Sequence, residues 1–185
     1  MTHTLERLIQ ILSERSFERR KVILASGKES DFFVDCKQTI LTAEGHAILG
    51  ELMFSALDEL GAVDAVAGVE LGGCPLASAV SLVSFQKGKP LPALYVRKER
   101  KDHGTGKRIE GDKALRPGLR VALLEDVVTT GGSSLKALDV LREAGCEVAG
   151  IVAIVDRLEG GAEAIEAAGV PLVSLTTRKD FIKDE

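Results

Sequence analysis

The chain has no tryptophan, one tyrosine and only 4% aromatic residues. That is too few for a surface on which successive nucleic-acid bases would stack. It also lacks a positive excess: 24 Lys and Arg stand against 28 Asp and Glu, a formal net charge of −4. This balance argues against a general nucleic-acid binder. The three cysteines, Cys36, Cys74 and Cys146, are far apart and odd in number. With no CxxC and no Cys/His cluster, neither a zinc site nor a disulfide framework is expected. The expected state is reduced thiols in a cytoplasmic protein. No apolar run is long enough to span a bilayer, and the N-terminus shows no signal-peptide pattern, so no membrane partner is expected. The Walker ending Gly-Lys-Ser/Thr and the dinucleotide pattern GxGxxG are absent as well.

What is there is the composition of a soluble globular protein. Hydrophobic residues make up 45% and charged residues 28% of 185, a length suited to one domain over 1–185 with a substantial core. Leu5, Leu8, Ile9 and Leu12 mark an amphipathic first helix over Thr4 to Glu14. Val22-Ile23-Leu24 and Phe32-Phe33-Val34 read as short strands joined by a turn at Ser26-Gly27-Lys28. A helix through Leu49, Leu52, Met53, Ala56, Leu57 and Leu60 stops at Gly61.

Beyond it the pattern alternates. Strands are expected at Ala65–Val69, Leu91–Val96, Leu119–Leu124, Val148–Val155 and Val170–Leu175. Helices are expected at Pro75–Phe85, Ser133–Ala144 and Ala162–Ala168. Near-continuous apolar strands separated by helices imply an α/β fold, a central parallel sheet flanked by helices on both faces. Residues 1–41 break the alternation and are expected to form a small N-terminal hood. Ligands of such sheets sit at the carboxyl ends of the strands. The informative loops there are Glu70–Cys74, Arg97–Lys113 and Glu125–Ser133, with Asp156-Arg157 after a fourth strand.

The stretch VALLEDVVTTGGSS, Val121 to Ser134, carries the most chemistry. An apolar strand runs into the carboxylates Glu125 and Asp126, then Val127 and Val128, then the turn Thr129-Thr130-Gly131-Gly132-Ser133. Leu135, Leu138 and Leu141 then recur at helical spacing. N–H groups at a helix start attract a phosphate, and glycines let the backbone approach it. Carboxylates would repel that phosphate but accept hydrogen bonds from vicinal hydroxyls. Phosphate donors beside a diol acceptor describe a ribose 5-phosphate site.

Residues 97–113, RKERKDHGTGKRIEGDK, hold seven basic residues, one histidine and three glycines. The segment shows no apolar periodicity and is expected to be a structureless loop of 17 residues. A connection of that length inside a compact domain is often a functional lid, and a basic one suits a diphosphate. The paired glycines of Glu70-Leu71-Gly72-Gly73-Cys74-Pro75 offer a second anion cradle at a helix start. Phe32 or Phe33 could hold a flat ring, although one of two neighbours in a strand must face the core. Arg157 suits a carboxylate, which a guanidinium grips with two parallel bonds.

Together these segments resemble a known family. Glu125 to Ser133 is similar to the phosphoribosyl-diphosphate motif of type I phosphoribosyltransferases. Arg97-Lys98-Glu99 with Lys101, Asp102, His103 and Gly104 resembles the flexible loop of the orotate phosphoribosyltransferases. Ser26-Gly27-Lys28 with Phe32-Phe33-Val34-Asp35 resembles their N-terminal segment. The resemblance implies transfer of ribose 5-phosphate from 5-phosphoribosyl 1-diphosphate to orotate, giving orotidine 5′-phosphate and diphosphate in pyrimidine biosynthesis, with Mg²⁺.

It also implies roles for residues of this chain. Glu125 and Asp126 would take the ribose hydroxyls, Thr129 to Ser133 would cradle the 5′-phosphate, and Val127 and Val128 would complete the contacts with the activated sugar. Arg97, Lys98, Lys101 and His103 would grip the diphosphate. Thr129, Arg157, Phe32 and Phe33 would meet orotate. Lys101, His103 and Asp126 would be the catalytic set, and Mg²⁺ would be held by substrate and water rather than by a protein cage. The implied assembly is a homodimer whose loops close over each other's sites. Where many relatives carry lysines before the Ser-Gly-Lys turn and after the strand ending at Val69, this chain has Ala25 and Leu71. The rival readings are a phosphoribosyltransferase acting on another nucleobase and a sensor that binds the activated sugar without turnover. The Arg157 and loop pattern disfavours the first, and the missing nucleic-acid-binding region disfavours the second.

Overall fold

In the computed structural model, which describes residues 2–23, 29–99 and 107–182, the chain's apolar runs assemble one mostly parallel sheet. The expected alternation is present. After the helix α1 (Thr2–Arg15) come β1 (Phe17–Ile23) and β2 (Glu29–Val34), the single turn α2 (Lys37–Ile40) and the helix α3 (Ala43–Ala56). Then follow β3 (Ala65–Val69), α4 (Gly73–Gln86), β4 (Ala93–Val96), β5 (Ile109–Glu110) and β6 (Arg120–Val128). The chain continues through α5 (Gly132–Glu143), β7 (Glu147–Asp156), α6 (Gly161–Ala167) and β8 (Leu172–Thr177). The main sheet runs in the order β5-β4-β3-β6-β7-β8. All its neighbours are parallel except β5, which pairs antiparallel with β4.

The pleat sorts the core into two layers. Ala122 and Leu124 pack with Leu8 and Leu12 of α1, Leu49 and Met53 of α3, and Leu76 and Val80 of α4. Val121 and Leu123 point the other way and pack with Leu138 and Leu141 of α5 and Ile165 of α6. This period of two sets the direction of the two carboxylates that follow. β1 and β2 form a separate antiparallel pair. Its Phe32 ring is fully buried against Phe17 and Phe181, at centroid distances of 5.1 and 5.9 Å.

Two expectations are corrected here. The strand expected to stop at Leu124 runs on to Val128, so Glu125 and Asp126 lie within β6 and not in a loop. Parallel pairing with β7 as far as Val128↔Asp156 supplies the ladder that local hydrophobicity did not signal. The segment 97–113 is not structureless throughout. The N–H of Arg97 donates to the carbonyl of Arg108 at 2.9 Å, β5 pairs with Tyr95 and Val96, and Asp112–Ala114 form a 3-10 turn. A two-residue strand anchored by the buried Ile109 is too short to produce a periodic signal.

Candidate active site

Four strand ends converge on one rim, as the parallel order requires. A cavity of about 530 Å³ opens there, lined by Lys37, Val69, Glu70, Leu71, Gly72, Lys98, Glu125, Asp126, Val127 and Ser133. It joins the β3–α4 loop, the end of β4 and the β6–α5 segment with a residue from α2.

Because Glu125 follows Leu124 by one residue, its side chain turns toward the α5 layer. It is 4% exposed, and its Oε1 accepts a 2.9 Å hydrogen bond from the Ser134 hydroxyl. Burial pushes its carboxyl up to about 7. The Ser134 bond and nearby Lys98 oppose that rise, and Asp126 adds to it. Asp126 turns to the α4 side, half-buried, with Oδ1 accepting the N–H of Val127 at 3.0 Å. Gly72 lies so close that a Cβ there would fall 2.1 Å from Asp126 Oδ2. The acidic pair is therefore two separate carboxylates on opposite sides of one strand, both reaching the cavity.

The turn after β6 is built for an anion. Gly131, the N-cap of α5, has φ +78°, a conformation glycine adopts without strain, and no side chain caps the helix. The first-turn N–H groups of α5 are left to a ligand beside the exposed Thr130, Gly132 and Ser133. Thr129 is half-buried. The side chain of Val128 is buried in the core, so only its backbone can serve a ligand. Gly161 at the start of α6 backs the turn: a Cβ there would fall 2.7 Å from the carbonyl oxygen of Thr129.

On the facing side, Lys98 is exposed, and its N–H donates a 2.6 Å bond to Oε1 of Glu70. This ties the end of β4 to the loop after β3. Arg97 is paired with Glu110 at 3.2 Å. Lys101 and His103 lie outside the described residues, as do Ala25 and the turn Ser26-Gly27-Lys28. Among the described residues no cluster of His, Cys, Asp and Glu forms a protein-only metal site.

Arg157 is buried rather than a surface charge. Its Nη2 donates to the carbonyl of Phe32 at 2.9 Å, and its Nε donates to Oε1 of Glu159 at 3.1 Å. Its neighbour Asp156 instead accepts the N–H of Leu158. The expectation that Phe32 offers a ring face to a ligand is not met, since the ring is fully enclosed by the aromatic core. Phe33 is half-buried, with the Arg20 guanidinium 3.9 Å from its ring centre. Sequence reasoning names the segments of Glu70 and Ser134 but gives neither side chain a role, and it misses Lys37 entirely. Lys37 belongs to no local motif, and only the arrival of β2, β3 and α5 at one rim brings the three together.

Many known proteins match this chain in sequence or in fold. The model of the phosphoribosyl transferase domain matches residues 38–172. A curated orotate phosphoribosyltransferase of Sorangium cellulosum is 68% identical over 179 residues, covering 97% of this chain and 93% of its own. One from Bradyrhizobium sp. (strain ORS 278) is 45% identical, with 95% and 96% covered. Among solved structures, orotate phosphoribosyltransferase of Mycobacterium tuberculosis in complex with 5-phospho-α-D-ribosyl 1-diphosphate superposes with a TM-score of 0.78. It is 33% identical, with 96% and 98% of the two chains covered.

Proposed function

The chain belongs to the phosphoribosyltransferase domain family, among the orotate phosphoribosyltransferases, and from that premise we propose how its residues divide the work. The reaction is transfer of ribose 5-phosphate from 5-phosphoribosyl 1-diphosphate to orotate, giving orotidine 5′-phosphate and diphosphate in pyrimidine biosynthesis. One observation carries the assignment of parts: the uncapped start of α5 and the carboxylate of Asp126 share a cavity with Lys98.

The turn Thr129–Ser133 takes the 5′-phosphate on its N–H groups and hydroxyls. Asp126 and Glu125 receive the ribose hydroxyls from the two sides of β6, and Val127 and Val128 serve through their backbone. Breaking the bond from C1 to diphosphate leaves cationic character on the ribose and negative charge on the leaving group. Lys98 and Arg97 stabilise that negative charge, with Lys101 and His103 joining them in a site from which water is excluded. His103 donates a hydrogen bond or a proton to the departing diphosphate. Orotate sits on the opposite face of C1 beside Thr129 and Phe33, its carboxylate near Arg157, so much of the acceleration comes from proximity.

Mg²⁺ fits this oxygen-rich cavity. Asp126 and Glu70 are the carboxylates best exposed to it, yet Asp126 Oδ1 and Glu70 Oε1 already accept backbone N–H groups. The ion would therefore be held mainly by diphosphate oxygens and water, and when bound it offsets the charge of the leaving group. The wider proposal is a single domain over 1–185 with 1–41 as its hood. It works as a cytoplasmic homodimer in which Lys101 and His103 act in the neighbouring subunit's site. Support for the compartment comes from the three unpaired thiols, two of them buried.

The test is a spectrophotometric assay of orotate consumption with 5-phosphoribosyl 1-diphosphate and Mg²⁺, run beside uracil and hypoxanthine. Turnover of orotate alone is expected. Preference for either other base would overturn the substrate assignment.

A further inference from the structure

The catalytic cavity contains a cation from an unexpected element. Lys37 is the first residue of α2, just after β2, and its side chain lines the same cavity as Asp126, Leu71 and Lys98. Its ammonium stands 2.6 Å from Oδ1 of Asp35, while 43% of the side chain remains exposed. The bond with Asp35 raises its pKa, with smaller contributions from the charges of Asp35 and Asp126, so it is a full positive charge at neutral pH.

The charge inventory of the cavity gives this lysine its importance. Among the described lining residues, Glu70, Glu125 and Asp126 are carboxylates, and only Lys37 and Lys98 are cations. The loop between them ends at the start of α4, where N–H groups favour an anion. Its tip, Leu71, is apolar and 75% exposed, and brings no charge. With a neutral side chain at 37, Lys98 would be the one cation left among the described lining residues to face three carboxylates and an incoming diphosphate. An ammonium has three donors, so Lys37 can keep Asp35 and still bond a phosphate oxygen.

We propose that Lys37 is a substrate-contacting residue of the transfer reaction, its ammonium binding the diphosphate of the activated sugar from the hood side, opposite Lys98, and oriented by Asp35. The proposal rests on the transferase reading above and adds a residue to it.

The experiment compares wild type with Lys37→Met, Lys37→Arg and Asp35→Asn. It measures steady-state kinetics for both substrates and, by calorimetry, binding of Mg-diphosphate alone. Loss of a charge-assisted bond should raise the KM for 5-phosphoribosyl 1-diphosphate and the Kd for diphosphate on the order of tenfold or more in Lys37→Met. The KM for orotate should stay within about twofold. Arginine should restore most of the diphosphate affinity, and Asp35→Asn, which keeps the charge, should lose much less than Lys37→Met. Unchanged diphosphate affinity in Lys37→Met overturns the proposal. So does a rise confined to the orotate KM, or a loss in Asp35→Asn as large as in Lys37→Met. A wild-type protein that neither binds diphosphate nor converts orotate would sink the transferase reading itself, which separates the two failures.

Discussion

The hydroxyl of Ser134, in the first turn of α5, donates a 2.9 Å hydrogen bond to Glu125 of β6, and both side chains are buried. The bond stabilises the ionised carboxylate against the desolvation that lifts it to about 7. Ser134→Ala removes that donor, so the Glu125 carboxyl should titrate higher still. The acid limb of kcat/KM for 5-phosphoribosyl 1-diphosphate should move to higher pH, with Ser134→Thr restoring it. An unmoved limb would show that Glu125 does not govern binding of the sugar.

The same carboxyl sets a stability trend. Its folded-state pKa of about 7 lies above the ordinary glutamate value of 4.5. The folded protein therefore binds more protons than the unfolded chain between those values. The contribution is fully favourable below pH 4.5 and is lost as pH rises through about 7. Its size is about 3 kcal/mol at most. Glu125→Gln should flatten this part of the stability profile in denaturant titrations. An equal slope in mutant and wild type would contradict the assignment.

Gly72 and Asp126 are in such close contact that a methyl group at 72 must displace the carboxylate. The backbone at Gly72, φ −64° and ψ −37°, would accept any residue, so the constraint is purely one of space. Gly72→Ala should therefore fold but lose kcat/KM on the order of 10²-fold, the scale of a misplacement near 1 Å. Thermal unfolding run beside the kinetics checks the distinction. A variant with wild-type turnover would mean that Asp126 need not sit where it does.

Arg157 joins the end of β7 to β2 through Phe32 and pairs with Glu159. Arg157→Ala should raise the orotate KM much more than that of the activated sugar. It should also lower stability by about 3 kcal/mol, since it leaves a largely buried partner unpaired. Glu159→Gln releases the guanidinium from a competing carboxylate and should leave orotate binding equal or tighter. Weaker orotate binding in Glu159→Gln would show that the pair, not the guanidinium by itself, is the recognition element.

Sharing of sites across a homodimer is tested by mixing. Subunits carrying Lys101→Ala are combined with subunits carrying Asp126→Asn, each nearly inactive alone. Hybrid dimers would contain one site with both residues intact, so up to about a quarter of the sites should recover if loops act in trans. No recovery after demonstrated subunit exchange would mean that each loop serves its own subunit.

Much of the fold was legible in the order of residues. The apolar run Ala65–Val69 marks β3 with its bounds, and the turn Gly131-Gly132 before Leu135, Leu138 and Leu141 locates the start of α5. These features are local, since they follow from apolar spacing and from the positive φ that glycine permits. The elements that local sequence does not show are those decided by pairing partners. β6 carries two carboxylates to its end only because β7 lies alongside, and β5 exists only because the edge of β4 is open to it.

For the site, the sequence alone determined the chemical types: an acid pair, a donor-rich turn, a basic segment and a lone arginine. The tertiary structure decided their directions and company. It set Glu125 and Asp126 on opposite sides of β6, brought Lys37 into the cavity and joined Arg157 to Phe32 across 125 residues. The physical reason is range. Turn chemistry and hydrophobic period act over a few residues, whereas the sheet order that fixes which side chains meet emerges only when distant strands pair and bury a common core.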